Sequence, residues 1–147
     1  MKKILVLCQD NACRSQMAEG YLNFYAGNKA IIYSAGIQAN GLNPFAVKVM
    51  TEDNIDISSN SSKQHTKLDS TDFDYLIKVC PINESEIASL NWKKVYQYDI
   101  LDPAETVGDE EYIMETFRAT REIIKKSILQ FIGKELISEA KAEEAIS

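Results

Sequence analysis

The sequence lacks any long hydrophobic run. Its N-terminal apolar run covers only residues 4–7, and no segment approaches the roughly 20 apolar residues that a membrane-spanning helix needs. The same run is too short for the hydrophobic core of a signal peptide. We therefore expect a cytoplasmic protein with no membrane partner.

Cysteine and histidine are also scarce, with 3 and 1 copies in 147 residues. An odd number of cysteines without an export signal argues for reduced thiols with a chemical role and against a disulfide scaffold. Cys8, Cys13, Cys80 and His65 lack the close ligand pairs of zinc sites, so we expect no metal and no cofactor. We expect packing to be the main role of Cys13 and expect His65 to be a surface loop residue.

Positive charge is in deficit. The chain has 16 Lys and Arg against 22 Asp and Glu, which gives a formal net charge of -6. This balance argues against broad attraction to nucleic acid or to an anionic membrane. A local anion-binding site would have to attract its ligand against the repulsion from the overall negative charge of the chain.

The most informative stretch that the sequence does contain runs from Cys8 to Ser15, between a strand-like apolar run and a helix-like segment. Successive backbone N–H groups of such a loop can converge on a tetrahedral anion, and the helix N-terminus favours a thiolate at Cys8. Arg14 offers planar, multidentate hydrogen bonds to oxyanion oxygens, and Ser15 can donate to the thiolate. The predicted substrate-binding residues are the loop itself: Gln9, Asp10, Asn11, Ala12, Cys13 and Arg14.

Strand-like and helix-like segments alternate along the chain. We predict strands over residues 3–8, 30–34, 74–80 and 94–98, and helices over 15–26, 44–53, 84–90 and 109–132, the last ended by Gly133. The predicted fold is a single-domain α/β protein over residues 1–136, with a doubly wound four-stranded parallel sheet in the order 2-1-3-4 and helices on both faces. Residues 137–147 are polar and are expected to form a disordered tail.

In that strand order, the carboxyl ends of the first and third strands are neighbours. Those ends carry Cys8 and Cys80. Neighbouring strands lie about 4.8 Å apart, so a disulfide between the two cysteines is geometrically conceivable.

These motifs resemble the low-molecular-weight protein tyrosine phosphatase superfamily, and more closely its arsenate reductase branch of the thioredoxin-coupled type. The likeness extends to about residue 132. It rests on Cys8-x5-Arg14-Ser15 and on segments that follow in register: residues 16–20, 33–37, 42–44, 55–58 and 73–75.

The resemblance implies roles for the loop residues. Cys8 would be the nucleophile, Arg14 and the loop amides would bind the oxyanion, Ser15 would tune the thiolate, and Asn11 would hold the shape of the loop.

The resemblance also assigns roles outside the loop. Asp102 lies at the Asp-Pro of the family and would be the general acid, with Asp99 as the nearby substitute. Ala104 follows where the tyrosine phosphatases usually have tyrosine, which weakens the phosphotyrosine interpretation. Cys80 would attack Cys8 after arsenate has been bound, releasing arsenite and leaving a disulfide.

The sequence departs from the family pattern in three ways. Residues 81–90 lack a third redox cysteine, so an external thiol, either thioredoxin, glutaredoxin or a small thiol, must open the disulfide or replace part of the relay. Asp10 would oppose anion binding unless its side chain faces outward. Lys63 stands where some relatives have an acidic ligand of a potassium site, and its ammonium is expected to replace the ion.

Two other functions remain open. One is a phosphatase acting on phosphotyrosine or on a small phosphomonoester, in which Cys80 is dispensable or protects against oxidation. The other is a catalytically weak oxyanion or redox sensor, for which Asp10 is the main reason.

Overall fold

The computed structural model describes residues 1–137, which form a four-stranded parallel sheet with the order β2-β1-β3-β4. The predicted sheet and strand order are therefore confirmed. The strands are β1 (Lys2–Cys8), β2 (Ala30–Gly36), β3 (Asp72–Lys78) and β4 (Asn91–Gln97), and the α-helices are α1 (Arg14–Ala26), α2 (Pro44–Glu52) and α3 (Glu110–Ile132). Short 3-10 turns cover Gly27–Lys29, His65–Leu68, Glu84–Ile87 and Pro103–Glu105.

Strand β1 occupies the centre of the sheet because its side chains are apolar on both faces. Residues 4–7 are all 0% exposed, and Leu5 is in register with Tyr33 of β2 and with Leu76 of β3. A continuous apolar run of this kind is typical of a parallel sheet covered on both sides. Cys8 is the last residue of this central strand.

Side-chain caps define where two of the helices begin. Asn43 accepts hydrogen bonds from the backbone of Phe45 and Ala46, and Pro44 takes the first helical position of α2. Asp109 caps α3 by accepting from the Tyr112 N–H at 2.8 Å. The three α-helices contact one another.

The C-terminal end of α3 differs from the prediction. Gly133 keeps helical dihedral angles, and the chain continues as one π turn over Gly133–Ile137 instead of ending. The reason lies in Glu135, whose buried carboxylate accepts hydrogen bonds from Tyr75, Lys94 and Tyr96. These contacts hold the extra turn against the sheet.

Three further differences concern segment lengths and burial. β2 continues to Gly36 because its last residues pair with the end of β1, and the predicted helix over residues 84–90 is one 3-10 turn. His65 is buried, contrary to expectation, because Gln64 bridges to Gly36 and draws the segment onto the edge of β2.

Within residues 1–137, no helix is both long and apolar enough to cross a membrane. The predicted tail lies outside the described residues from position 138 onward.

Candidate active site

The Cys8 sulfur lies at the junction between β1 and the loop that leads into α1. Cys8 is 2% exposed, and its Sγ is 2.9 Å from Ser15 Oγ and accepts a hydrogen bond from the Asn11 backbone N–H at 3.2 Å. Arg14 and Ser15 are the first two residues of α1, so the helix N-terminus lies beside the sulfur. This arrangement stabilises negative charge on the sulfur.

Asn11 organises the loop through both ends of its side-chain amide. It is fully buried, with a left-handed φ of 48°. Its Nδ2 donates to Ser15 Oγ at 2.8 Å and to Ser34 Oγ at 3.1 Å. Because Ser15 Oγ already accepts from Asn11, its own hydrogen is available to point toward Cys8.

The acceptor end of Asn11 is equally occupied. Its Oδ1 accepts from the Lys63 backbone N–H at 2.8 Å and from Gln16 Nε2 at 3.1 Å. The sequence indicated the role of Asn11, but Gln16 and Ser34 emerge as its supports only in the structure. The sequence presents Gln16 only as the first residue of the segment 16–20 that resembles the arsenate reductases, with no role attached to its side chain.

The carbonyl groups of the loop point to the segment between β2 and α2. The oxygens of Cys8, Gln9, Asp10 and Ala12 accept backbone hydrogen bonds at 2.9–3.2 Å from that segment. Because these carbonyls are all engaged on one side, the loop N–H groups can point to the other side, where the Asn11 N–H meets the Cys8 sulfur, as an anion-binding nest requires. The substrate-binding residues predicted from the sequence therefore form one continuous loop around the sulfur.

Gly36, the last residue of β2, allows the loop that begins at Cys8 to lie close against this strand. A Cβ at this position would lie 2.7 Å from the Asn11 backbone nitrogen and 2.9 Å from the Gln9 carbonyl oxygen. Only glycine fits between β2 and the loop without displacing backbone atoms.

Arg14 is anchored beside the sulfur. Its Nη1 donates to the Ile100 carbonyl at 2.8 Å, and its Nη2 lies 3.8 Å from Asp102 Oδ2. The Nε of Arg14 is buried and has no hydrogen-bond partner within residues 1–137. The guanidinium therefore retains donor capacity that an oxyanion could use.

Asp102 reaches the same region from the loop after β4. It caps the 3-10 turn Pro103–Glu105 by accepting from the Ala104 N–H at 3.0 Å. The same oxygen, Oδ1, accepts from the Cys13 thiol at 3.4 Å. The Asp99 side chain instead accepts from Gln97 at an exposed position.

Cys80 lies two residues beyond the end of β3, next to the loop. The Val79 N–H donates to the Leu7 carbonyl at 3.0 Å, which joins the segment before Cys80 to the end of β1. Burial raises the pKa of the Cys80 thiol, while the positive charge of Arg14 acts in the opposite direction. The structure thus brings all five predicted catalytic residues together.

Asp10 and Lys63 are turned toward other partners. The Asp10 carboxylate accepts from Asn40 Nδ2 at 2.8 Å in an exposed hydrogen bond, the outward orientation that anion binding requires. The Lys63 ammonium donates to the Ser61 carbonyl at 3.3 Å. Residues 1–137 contain no group of three or more His, Cys, Asp or Glu side chains suited to hold a metal ion.

Comparison with known proteins matches residues 3–143 to the model of the family described as low molecular weight phosphotyrosine protein phosphatase. The chain belongs to this family. It is 40% identical over 137 residues to an arsenate reductase of Halalkalibacterium halodurans, a match that covers 88% of this chain and 94% of the relative. The family resemblance predicted from the motifs is therefore confirmed.

Two solved structures that resemble this phosphatase-family chain are described as arsenate reductases. One, in the reduced state, has a TM-score of 0.75 at 29% identity and covers 91% of this chain and 98% of its own. The other, in the phosphate binding state, has a TM-score of 0.70 at the same identity and coverage. Together with the family match, these two structures identify the chain as an enzyme of the low-molecular-weight phosphatase and arsenate reductase type.

Proposed function

We propose that the protein is an arsenate reductase that converts arsenate to arsenite with two of its own thiols. The observation that carries this proposal is a second buried thiol, Cys80, in a segment that the Val79 N–H joins by a 3.0 Å hydrogen bond to Leu7, the residue before Cys8. The relatives and structural neighbours named arsenate reductase support the same choice.

The first step is nucleophilic substitution at arsenic. Arsenate binds to the loop N–H groups and to Arg14, and the Cys8 thiolate attacks the arsenic atom. A sulfur–arsenic bond forms as one arsenic–oxygen bond breaks. Asp102 donates the proton that lets this oxygen leave as water.

The second step transfers two electrons. Cys80 attacks Cys8 Sγ, so that a sulfur–sulfur bond forms and the sulfur–arsenic bond breaks, and the proton that Cys80 gives up passes to an oxygen of the departing arsenic group. The electron pair of the broken bond stays on arsenic, which changes from As(V) to As(III) and leaves as arsenite. The two cysteines are oxidised to a disulfide, which balances the reaction.

An external thiol must then return both cysteines to the reduced state. Residues 81–90 contain no further cysteine. The reductant, whether thioredoxin, glutaredoxin or a small thiol, therefore attacks the Cys8–Cys80 disulfide directly or joins the relay at that point.

The second candidate function is phosphomonoester hydrolysis. The family description favours it, because Cys8, Arg14 and Asp102 are equally suited to form a thiophosphate and to protonate a leaving alcohol. In that reaction water hydrolyses the intermediate, and Cys80 takes no part.

Parallel assays of the wild type, Cys80→Ser and Cys8→Ser separate the two candidates. Arsenate-dependent oxidation of an added thiol is measured beside hydrolysis of an aryl phosphate. We expect Cys80→Ser to lose arsenate turnover while keeping any hydrolysis, and Cys8→Ser to lose both. As a matched control, Ser89→Ala removes only an exposed hydrogen bond to Asp69 and should change neither activity.

Either of two results would contradict the proposal. One is aryl phosphate hydrolysis with no arsenate turnover under any of the three classes of reductant. The other is undiminished arsenate turnover in Cys80→Ser.

A further inference from the structure

The Cys13 thiol is buried, and neither step of the proposed reaction uses it. It is 4% exposed, and its sulfur lies 3.4 Å from Asp102 Oδ1. The Ala104 N–H donates to the same oxygen at 3.0 Å. Two donors therefore meet at Oδ1.

The other carboxyl oxygen of Asp102 has a different environment. Oδ2 lies 3.8 Å from Arg14 Nη2, the guanidinium nitrogen next to the oxyanion loop. The two oxygens of one carboxyl group are thus distinguished: Oδ1 accepts from Cys13 and Ala104, and Oδ2 has the guanidinium of Arg14 at 3.8 Å.

Cys13 remains a thiol under ordinary conditions and can act only as a donor to a carboxylate. Burial raises its pKa well above the usual range, and the negative charge of Asp102 raises it further. Its S–H bond is consequently available to Oδ1 throughout the neutral pH range.

We propose that Cys13 is a positioning residue that selects Oδ2 of Asp102 as the oxygen that carries the catalytic proton. In a protonated carboxyl group, the carbonyl oxygen accepts hydrogen bonds and the hydroxyl oxygen donates one. The donors from Cys13 and Ala104 make Oδ1 the carbonyl-type oxygen. The proton then resides on Oδ2 and passes from there to the oxygen leaving arsenic.

This inference rests on the proposed function, because it assumes that Asp102 is the general acid. Cys13→Ala should lower kcat for arsenate reduction by about fivefold, the rate equivalent of one weak hydrogen bond, and leave KM nearly unchanged. Cys13→Ser retains a donor and should recover most of the loss.

A double-mutant cycle separates positioning from a general structural effect. In an Asp102→Asn protein there is no carboxyl proton to direct, so adding Cys13→Ala should lower kcat no further. A fivefold loss that persists in the Asp102→Asn background would overturn the proposal. So would a Cys13→Ala enzyme with wild-type kcat.

The contact can also be tested without turnover. In a Cys8→Ser/Cys80→Ser protein, Cys13 is the only thiol, and infrared spectroscopy reads its S–H stretching band directly. Asp102→Asn should shift this band toward that of a weaker hydrogen bond; an unchanged band would overturn the inference. If the band shifts but the wild type has no arsenate turnover, the proposed function fails while the contact stands.

Discussion

Replacing Asn11 with alanine is expected to destabilise the fold more than most single substitutions do. The Asn11 amide makes four buried or partly buried hydrogen bonds, to Ser15, Ser34, Gln16 and the Lys63 backbone. Each contributes about 1 kcal/mol net, a value that already includes the exchange of hydrogen bonds with water. Alanine at a φ of 48° costs about 1 kcal/mol more, because asparagine tolerates this conformation better. We expect a total loss of about 5 kcal/mol.

Asn11→Asp separates the role of Asn11 in stability from its role at the sulfur. Aspartate keeps the acceptor oxygen and the tolerance of a left-handed φ, so the loss of stability should be smaller than for alanine. It cannot donate to Ser15, whose hydrogen would turn from Cys8 toward the new carboxylate. Arsenate turnover should therefore fall in Asn11→Asp even though this variant keeps more of its stability than Asn11→Ala does.

Urea unfolding measures the free energy of unfolding for both variants, and Asn28→Ala is the matched control. Asn28 is exposed in the 3-10 turn after α1 and should change stability by less than about 0.5 kcal/mol. A loss below about 1 kcal/mol for Asn11→Ala would refute the role assigned to its four hydrogen bonds.

Two other predictions concern Gly36 and Tyr21. Gly36→Ala places a Cβ 2.3 Å from a carbonyl oxygen and 2.7 Å from a loop backbone nitrogen, so unfolding experiments should show a loss of about 1–3 kcal/mol together with reduced turnover. Gly133→Ala is its control, because φ is helical and, within residues 1–137, an added Cβ would meet no atom within 4 Å beyond its chain neighbours and the backbone of its own helix. It should be neutral or stabilise by about 1 kcal/mol, and equal losses in both variants would contradict the steric explanation. Tyr21→Phe removes a 2.8 Å hydrogen bond that, with Lys125, lowers the pKa of Asp53, so the variant should be less stable at neutral pH. A carboxyl group whose pKa is lowered in the folded state stabilises the fold at pH values above its pKa in the unfolded chain. The difference in unfolding free energy between Tyr21→Phe and the wild type should therefore shrink as pH falls below about 4, and a pH-independent difference would refute the linkage.

Features encoded by neighbouring residues could be predicted from the sequence. The apolar run of β1, the helix after Arg14 and the long helix α3 each depend on local pattern, and all three are present. The strand order followed from alternating strands and helices. The third strand was predicted to end at Cys80; β3 ends at Lys78, and Cys80 follows two residues later, next to the loop.

Features that depend on contacts distant in sequence could not be predicted in the same way. The Asp102 loop had to be placed before its hydrogen bond with Cys13, 89 residues away, could be recognised. Gly133 was expected to end a helix because glycine often does, but the buried contacts of Glu135 extend it. His65 was assigned to the surface from a polar neighbourhood, whereas a bridge to the edge of β2 buries it.

In the proposed reaction, Cys80 resolves the arsenic adduct on Cys8. This step is tested by a single turnover of reduced protein with arsenate in the absence of any reductant, followed by mapping of the cysteine-containing peptides. We expect one arsenite to be released for each Cys8–Cys80 disulfide, with Cys13 remaining a free thiol. Arsenite release with Cys80 still free, or a disulfide between Cys8 and Cys13, would contradict it.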